Sequence, residues 1–134
     1  MQQEDTKTGR FFGDCSGDVI AACIQVHRQL GPGLLESAYG ACLAQELTER
    51  GLLYERERPL PIAYRGVMLE CGYRLDFVVR NELILEIKSV ETLLPLHAAQ
   101  LLTYLKLTGI RAGLLVNFNA VPLRRGLRRL TLEK

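Results

Sequence analysis

The chain has 134 residues, 48% apolar and 24% charged, which suits one globular domain large enough to bury a core without staples. No apolar run approaches the ~18 residues that span a bilayer, and no charged-then-apolar leader opens the chain. Its cysteines (Cys15, Cys23, Cys42, Cys71) form no C-x-x-C pair, and His27 and His97 do not sit at ligand spacing to supplement them. A disulfide framework and a zinc site are therefore disfavoured, and the expectation is a cytoplasmic protein with reduced thiols.

Residues 1–12, MQQEDTKTGRFF, are mostly polar and aperiodic and read as a flexible N-terminal tail; residues 13–134 read as a single domain. From Asp14 or Ser16, both suitable caps, Ile20, Cys23, Ile24, His27 and Leu30 recur at three- and four-residue steps, which predicts an amphipathic helix stopped by Gly31-Pro32-Gly33. A second helix is expected over 34–50, with Leu35, Ala38, Tyr39, Cys42, Leu43 and Leu47 inward. Three strand-like runs follow, at 52–64, 67–79 and 83–90, joined by short turns at Arg65-Gly66 and Asn81-Glu82. That spacing predicts an antiparallel meander, with Pro59 and Pro61 marking an edge or bulge. Pro95 suits the first turn of a helix running to Thr108, strand 111–118 comes next, and a short strand at 126–132 ends the pattern. The order helix, helix, three strands, helix, strand implies an α/β sandwich layered around one sheet.

The net charge of +2 hides an asymmetry. Residues 111–134 hold Arg111, Arg124, Arg125, Arg128, Arg129 and Lys134 against Glu133 alone, a balance of +5; the first 110 residues hold 11 basic and 14 acidic residues, a balance of −3. A basic end on an acidic body suits a polyanion partner, although a solvated surface strand would look the same.

The chemistry concentrates in LILEIKSV, residues 83–90. Glu86 and Lys88 stand two apart on an otherwise apolar strand and so share a face. Asp76 lies on the preceding strand at a similar distance from the turn, which makes it a near-opposite neighbour of Glu86, about 5 Å away if the two share a face. Carboxylates that close repel unless one is protonated or a cation lies between them. A hard divalent ion such as Mg²⁺ resolves the conflict most simply.

Asp76, then Glu86-x-Lys88 on the next strand, then a helix resembles the core of the PD-(D/E)XK nuclease superfamily. GLLESAY at 33–39 resembles, through Gly33, Glu36 and Tyr39, the signature of the GxxExxY protein family, a branch of that superfamily. The resemblance runs from about Val19 to about Leu130, with Leu75 standing where the superfamily's name has proline. It implies a restriction-endonuclease-like three-layer sandwich, helices flanking a central mixed sheet in the order α-α-β-β-β-α-β. It also implies Mg²⁺ (or Mn²⁺) held by Glu36, Asp76, Glu86 and the Ile87 carbonyl, with Lys88 orienting the attacking water or stabilising the charge that grows on the phosphate. Gln100-x-x-x-Tyr104 resembles an element of the exonuclease-like branch, Gln100 supporting the water or metal shell and Tyr104 packing beneath it.

Glu36 also has a local reason to be ionised: the first turn of a helix favours a carboxylate. The leading expectation is thus a metal-dependent nuclease acting on DNA or RNA. Two rivals differ in class. One is a catalytically silent nucleic-acid-binding module on the same fold. The other is a homo-oligomeric assembly protein, a homodimer burying RAGLLVNF (111–118) and the Leu-rich helix 94–107.

Overall fold

The computed structural model describes residues 12–132. Helix α1 spans Ser16–Leu30 and buries Val19, Ile20, Ala22, Cys23 and Val26 along one stripe. Cys15 occupies the cap position, but the Asp14 carboxylate takes the Ser16 N–H at 2.8 Å, so Asp14 supplies the capping chemistry. Helix α2 spans Glu36–Glu49, shorter at each end than the expected 34–50, and buries Tyr39, Gly40, Leu43 and Leu47.

The strands are β1 (Tyr54–Pro59), β2 (Ile62–Tyr64), β3 (Val67–Leu69), β4 (Arg74–Val79), β5 (Leu83–Lys88), β6 (Ala112–Asn117) and β7 (Leu127–Thr131), with helix α3 (Pro95–Thr108) between β5 and β6. Five of them form one sheet in the order β1-β4-β5-β6-β7. All its pairs are antiparallel except β5 with β6, which the α3 crossover makes parallel. One core layer joins Val19, Cys23, Tyr39 and Leu43 of α1 and α2 to Phe77, Val79, Leu85 and Leu114 of the sheet. The other joins Leu101, Tyr104 and Leu105 of α3 to Leu75, Val78, Ile84 and Leu115. The result is the expected three-layer α/β sandwich with a central mixed sheet.

The meander is present but broken. Run 52–64 divides into β1 and β2, and run 67–79 into β3 and β4, so that β2 and β3 pair as a separate two-stranded ribbon around Arg65-Gly66. Pro59 and Pro61 have no amide hydrogen to give a ladder, which interrupts pairing at that point. Arg65 and Gly66 have φ +52 and +79, the doubly positive geometry that matches strand twist in a tight hairpin. The turn into β5 centres on Arg80-Asn81 (φ +54 and +56) rather than on Asn81-Glu82, and the Glu82 N–H closes on the Val79 carbonyl at 3.0 Å.

Two expectations change with the layering. Phe12, read as tail, is buried, with the Arg129 guanidinium 4.2 Å above its ring; the rest of that tail lies outside the described residues. Strand β6, offered as a dimer surface, is buried at all six positions and paired along both edges, so RAGLLVNF cannot cover a second copy. Its apolar run reflects burial on both faces, as a strand beside a crossover helix requires. Gly113 in β6 permits this packing, since a Cβ there would meet Leu101 Cδ1 at 2.9 Å. Burial pushes the Cys15 and Cys23 thiols up to about 12, so they behave as inert small hydrophobes. Among the described residues no helix is long and apolar enough to cross a membrane.

Candidate functional site

Strands β4 and β5 pair at Val79/Leu83, Val78/Ile84 and Phe77/Leu85, and then part. The same register carried one step further sets Asp76 opposite Glu86, as counting from the hairpin predicts. Side chains replace the ladder there: the Asp76 N–H donates to Glu86 Oε2 at 3.0 Å, and the Ile87 N–H donates to Asp76 Oδ2 at 2.7 Å. Leu75 belongs to the core layer under α3 while Phe77 belongs to the layer under α1 and α2, so the strict alternation of β4 slips at Asp76. A parted ladder leaves buried amides needing acceptors, and the two acids supply them.

The electrostatics of the pair are unfavourable in isolation. Glu86 is 6% exposed, and burial, followed by the Asp76 charge, pushes its carboxyl up to about 8. Asp76 is also raised, first by burial, with Glu36 and Glu57 adding repulsion and the Ile87 amide and Lys88 opposing it. Near neutral pH the pair therefore holds a proton or needs a cation. Lys88 is half-buried and near enough to lower both acids, yet it closes no salt bridge among the described residues.

Glu36 reaches this place from α2. The Ser89 N–H, just past Lys88, donates to Glu36 Oε2 at 3.3 Å, and the Ser89 hydroxyl donates to the Leu34 carbonyl at 2.6 Å. Tyr39, fully buried, donates its hydroxyl to the Gly31 carbonyl at 2.5 Å, accepts the Leu34 N–H at 3.2 Å and stacks on Phe118. Gly33, at φ +99, gives its N–H to Asn119 Oδ1 at 3.1 Å. The spacing Gly33-x-x-Glu36-x-x-Tyr39 thus has a local cause. Glycine turns the chain, tyrosine clamps the turn from inside, and the acid is left at the start of the helix. Asn117, buried in β6, pairs both backbone groups of Val90 and fixes the segment that carries Ser89.

A cleft of about 190 Å³ opens between α2 and the sheet, lined by Glu36, Ser37, Gly40, Arg56, Glu57, Asp76, Phe77 and Ile87. Glu86 lies behind the Asp76 amide, on the side of Tyr104. Burial and then the charge of Glu86 raise the Tyr104 hydroxyl, and a hydrogen bond from the Gln100 side chain opposes the rise. Helix α3 therefore brings Tyr104 near Glu86, with Gln100 against the Tyr104 hydroxyl. His97, on the same helix, is committed to its start, where Nδ1 accepts the Leu94 N–H at 3.0 Å.

Sequence reasoning missed Glu57. Continuing the β1–β4 register places it opposite Asp76, it lines the cleft, and its φ of +56 is strained for a non-glycine residue. The alternation of ERERP gives no sign of this. It also missed Ser89 and Asn117, whose partners lie 53 and 27 residues away. The basic end needs one correction. Arg124, Arg125 and Arg128 are exposed, but the Arg129 guanidinium turns inward, 2.8 Å from Asp14 and 3.0 Å from the Ser16 hydroxyl.

The donor set is oxygen-only and no salt bridge among the described residues closes on the buried acids, a chemistry that suits a hard divalent cation. Among the described residues no three His, Cys, Asp or Glu side chains already close into a metal cage. No curated protein and no solved structure matches the chain. A family model does match, over residues 13–130, and with it the parted hairpin, its acids and the mixed sheet find one explanation: the chain belongs to the PD-(D/E)XK nuclease superfamily.

Proposed function

We propose that the protein is a divalent-cation-dependent nuclease of the GxxExxY branch, hydrolysing phosphodiester bonds in DNA or RNA. The observation that carries this reading is the buried acid pair at the mouth of the parted hairpin. Asp76 and Glu86 meet there at a cost to folding, with Glu36 lining the same cleft as Asp76 and Lys88 one strand step on. A structural ion pair would place a cation against the acids, whereas Lys88 closes on neither.

Glu36, Asp76, Glu86 and the Ile87 carbonyl would hold Mg²⁺ or Mn²⁺, whose Lewis acidity polarises a phosphodiester and acidifies a water. Asp76 takes the Ile87 N–H on one oxygen, which orients its carboxylate. Lys88 supplies an ammonium for the charge that grows on the phosphate as the bond to the leaving oxygen breaks. Tyr104, with Gln100 beside it, stands near enough to Glu86 to feel its charge and would back that side of the metal shell. Ser89 and Tyr39 keep Glu36 at the cleft.

The test is hydrolysis of labelled single- and double-stranded DNA and RNA with Mg²⁺ or Mn²⁺. Wild type should cut at least one of them, and Asp76→Asn or Lys88→Ala should lower the rate by about 100-fold or more. Wild type that binds nucleic acid equally with and without chelator but never cuts would establish the binding module instead.

A further inference from the structure

The β2–β3 ribbon gathers an unusual set of side chains. Within ten residues it exposes Tyr64 (59%), Val67 (55%), Met68 (63%), Leu69 (43%) and Tyr73 (44%). Its ladder is only three pairs long, Ile62/Leu69, Ala63/Met68 and Tyr64/Val67, and every residue of β3 is exposed. A free two-stranded ribbon is marginal in water, and apolar surface gathered this way marks a contact.

Its place in the fold indicates which contact. The ribbon leaves the sheet after Pro59 and returns at Arg74, two residues before Asp76, so it rises from the end of β4 that carries the cleft. At its base Tyr73 packs edge-on against Tyr104, with centroids 6.2 Å apart. At its tip the Arg65 guanidinium lies 5.4 Å from the Tyr64 ring centroid. Arg74 has Glu70 at 3.8 Å, while Arg65 forms no salt bridge among the described residues. Aromatic faces interleaved with arginine, one of them uncompensated, complement the bases and phosphates of a nucleic-acid strand. A second copy fits poorly. Six paired residues fall far short of the 20–30 per partner that a stable interface uses, and an unpaired cation at the tip would have to be buried with them.

We infer that the β2–β3 ribbon grips an unpaired stretch of the substrate strand beside the cleft, bases stacking on Tyr64 and Tyr73 and phosphates meeting Arg65 and Arg74. The inference rests on the nuclease reading and extends it to substrate form: the enzyme prefers single-stranded or frayed nucleic acid.

The experiment is fluorescence anisotropy of the full chain in EDTA, with labelled oligothymidine and a labelled duplex, beside a cleavage assay with Mg²⁺. Tyr64→Ala should weaken oligothymidine binding by about 10- to 100-fold, and Tyr64→Phe should restore it. Arg65→Ala should make log K against log salt shallower by about 0.7. Unchanged affinity in Tyr64→Ala and an unchanged salt slope in Arg65→Ala, in a chain that still cuts, would overturn the ribbon's role and leave the nuclease standing. Wild type that neither binds nor cuts would overturn both. A dimer by light scattering that Met68→Asp converts to monomer without loss of binding would assign the ribbon to a second copy and overturn the inference.

Discussion

Replacing Glu86 with glutamine removes one negative charge from the acid pair while keeping an oxygen that can accept the Asp76 N–H. The consequence for stability follows from proton linkage. Glu86 ordinarily titrates at 4.5, and in the folded chain burial and Asp76 raise it to about 8, so the native state keeps a proton that the unfolded chain releases. Stability from this group is therefore fully present below pH 4.5 and is lost as pH rises toward about 8. Integrating between those limits, the wild type gives up on the order of 4 kcal/mol by pH 7.5 and less than about 1 kcal/mol by pH 5, whereas glutamine does not titrate. Urea denaturation in EDTA should thus find the stability of Glu86→Gln relative to wild type growing by about 3 kcal/mol between pH 5 and pH 7.5. Mg²⁺ should narrow the margin by stabilising wild type alone. A margin that does not change between pH 5 and pH 7.5 would show that the pair carries no electrostatic strain, and the case for a cation there would fall with it.

Tyr39→Phe removes a buried donor to Gly31 and an acceptor for Leu34 while keeping the stack on Phe118. It should cost about 1–2 kcal/mol in thermal or urea unfolding. It should also lower kcat more than it raises KM, because the clamp acts on Glu36 rather than on substrate. Arg129→Ala leaves Asp14 and Ser16 without their partner and should destabilise by about 2–3 kcal/mol by chemical denaturation. Arg128→Ala, on an exposed side chain, should stay within about 0.5 kcal/mol of wild type.

Sequence alone determined what depends on neighbours in the chain. Apolar stripes every three to four residues become helices because a helix turns in 3.6 residues, and Gly31 and Gly109 end them through positive φ. The meeting of Asp76 and Glu86 was legible because a hairpin is local: ten residues separate them, and counting outward from the turn sets their register. Glu86-x-Lys88 was legible for the same reason.

Only the tertiary structure decided the rest, since it depends on which surfaces the layers bring together. Glu36 reaches the sheet through Ser89, across 53 residues, and nothing in either segment announces the other. Arg129 looks like one more surface cation until Asp14, 115 residues earlier, draws it inward over Phe12. Glu57 and the slip at Asp76 arise where β4 leaves its ladder with β5 and skips one pair with β1, so the regular alternation of the sequence conceals them. Strand β6 reads as sticky because it is apolar throughout, and it is covered on both faces for the same reason. Periodicity reports how much apolar surface a segment must hide; the packed layers determine what hides it, and which charges remain at the cleft.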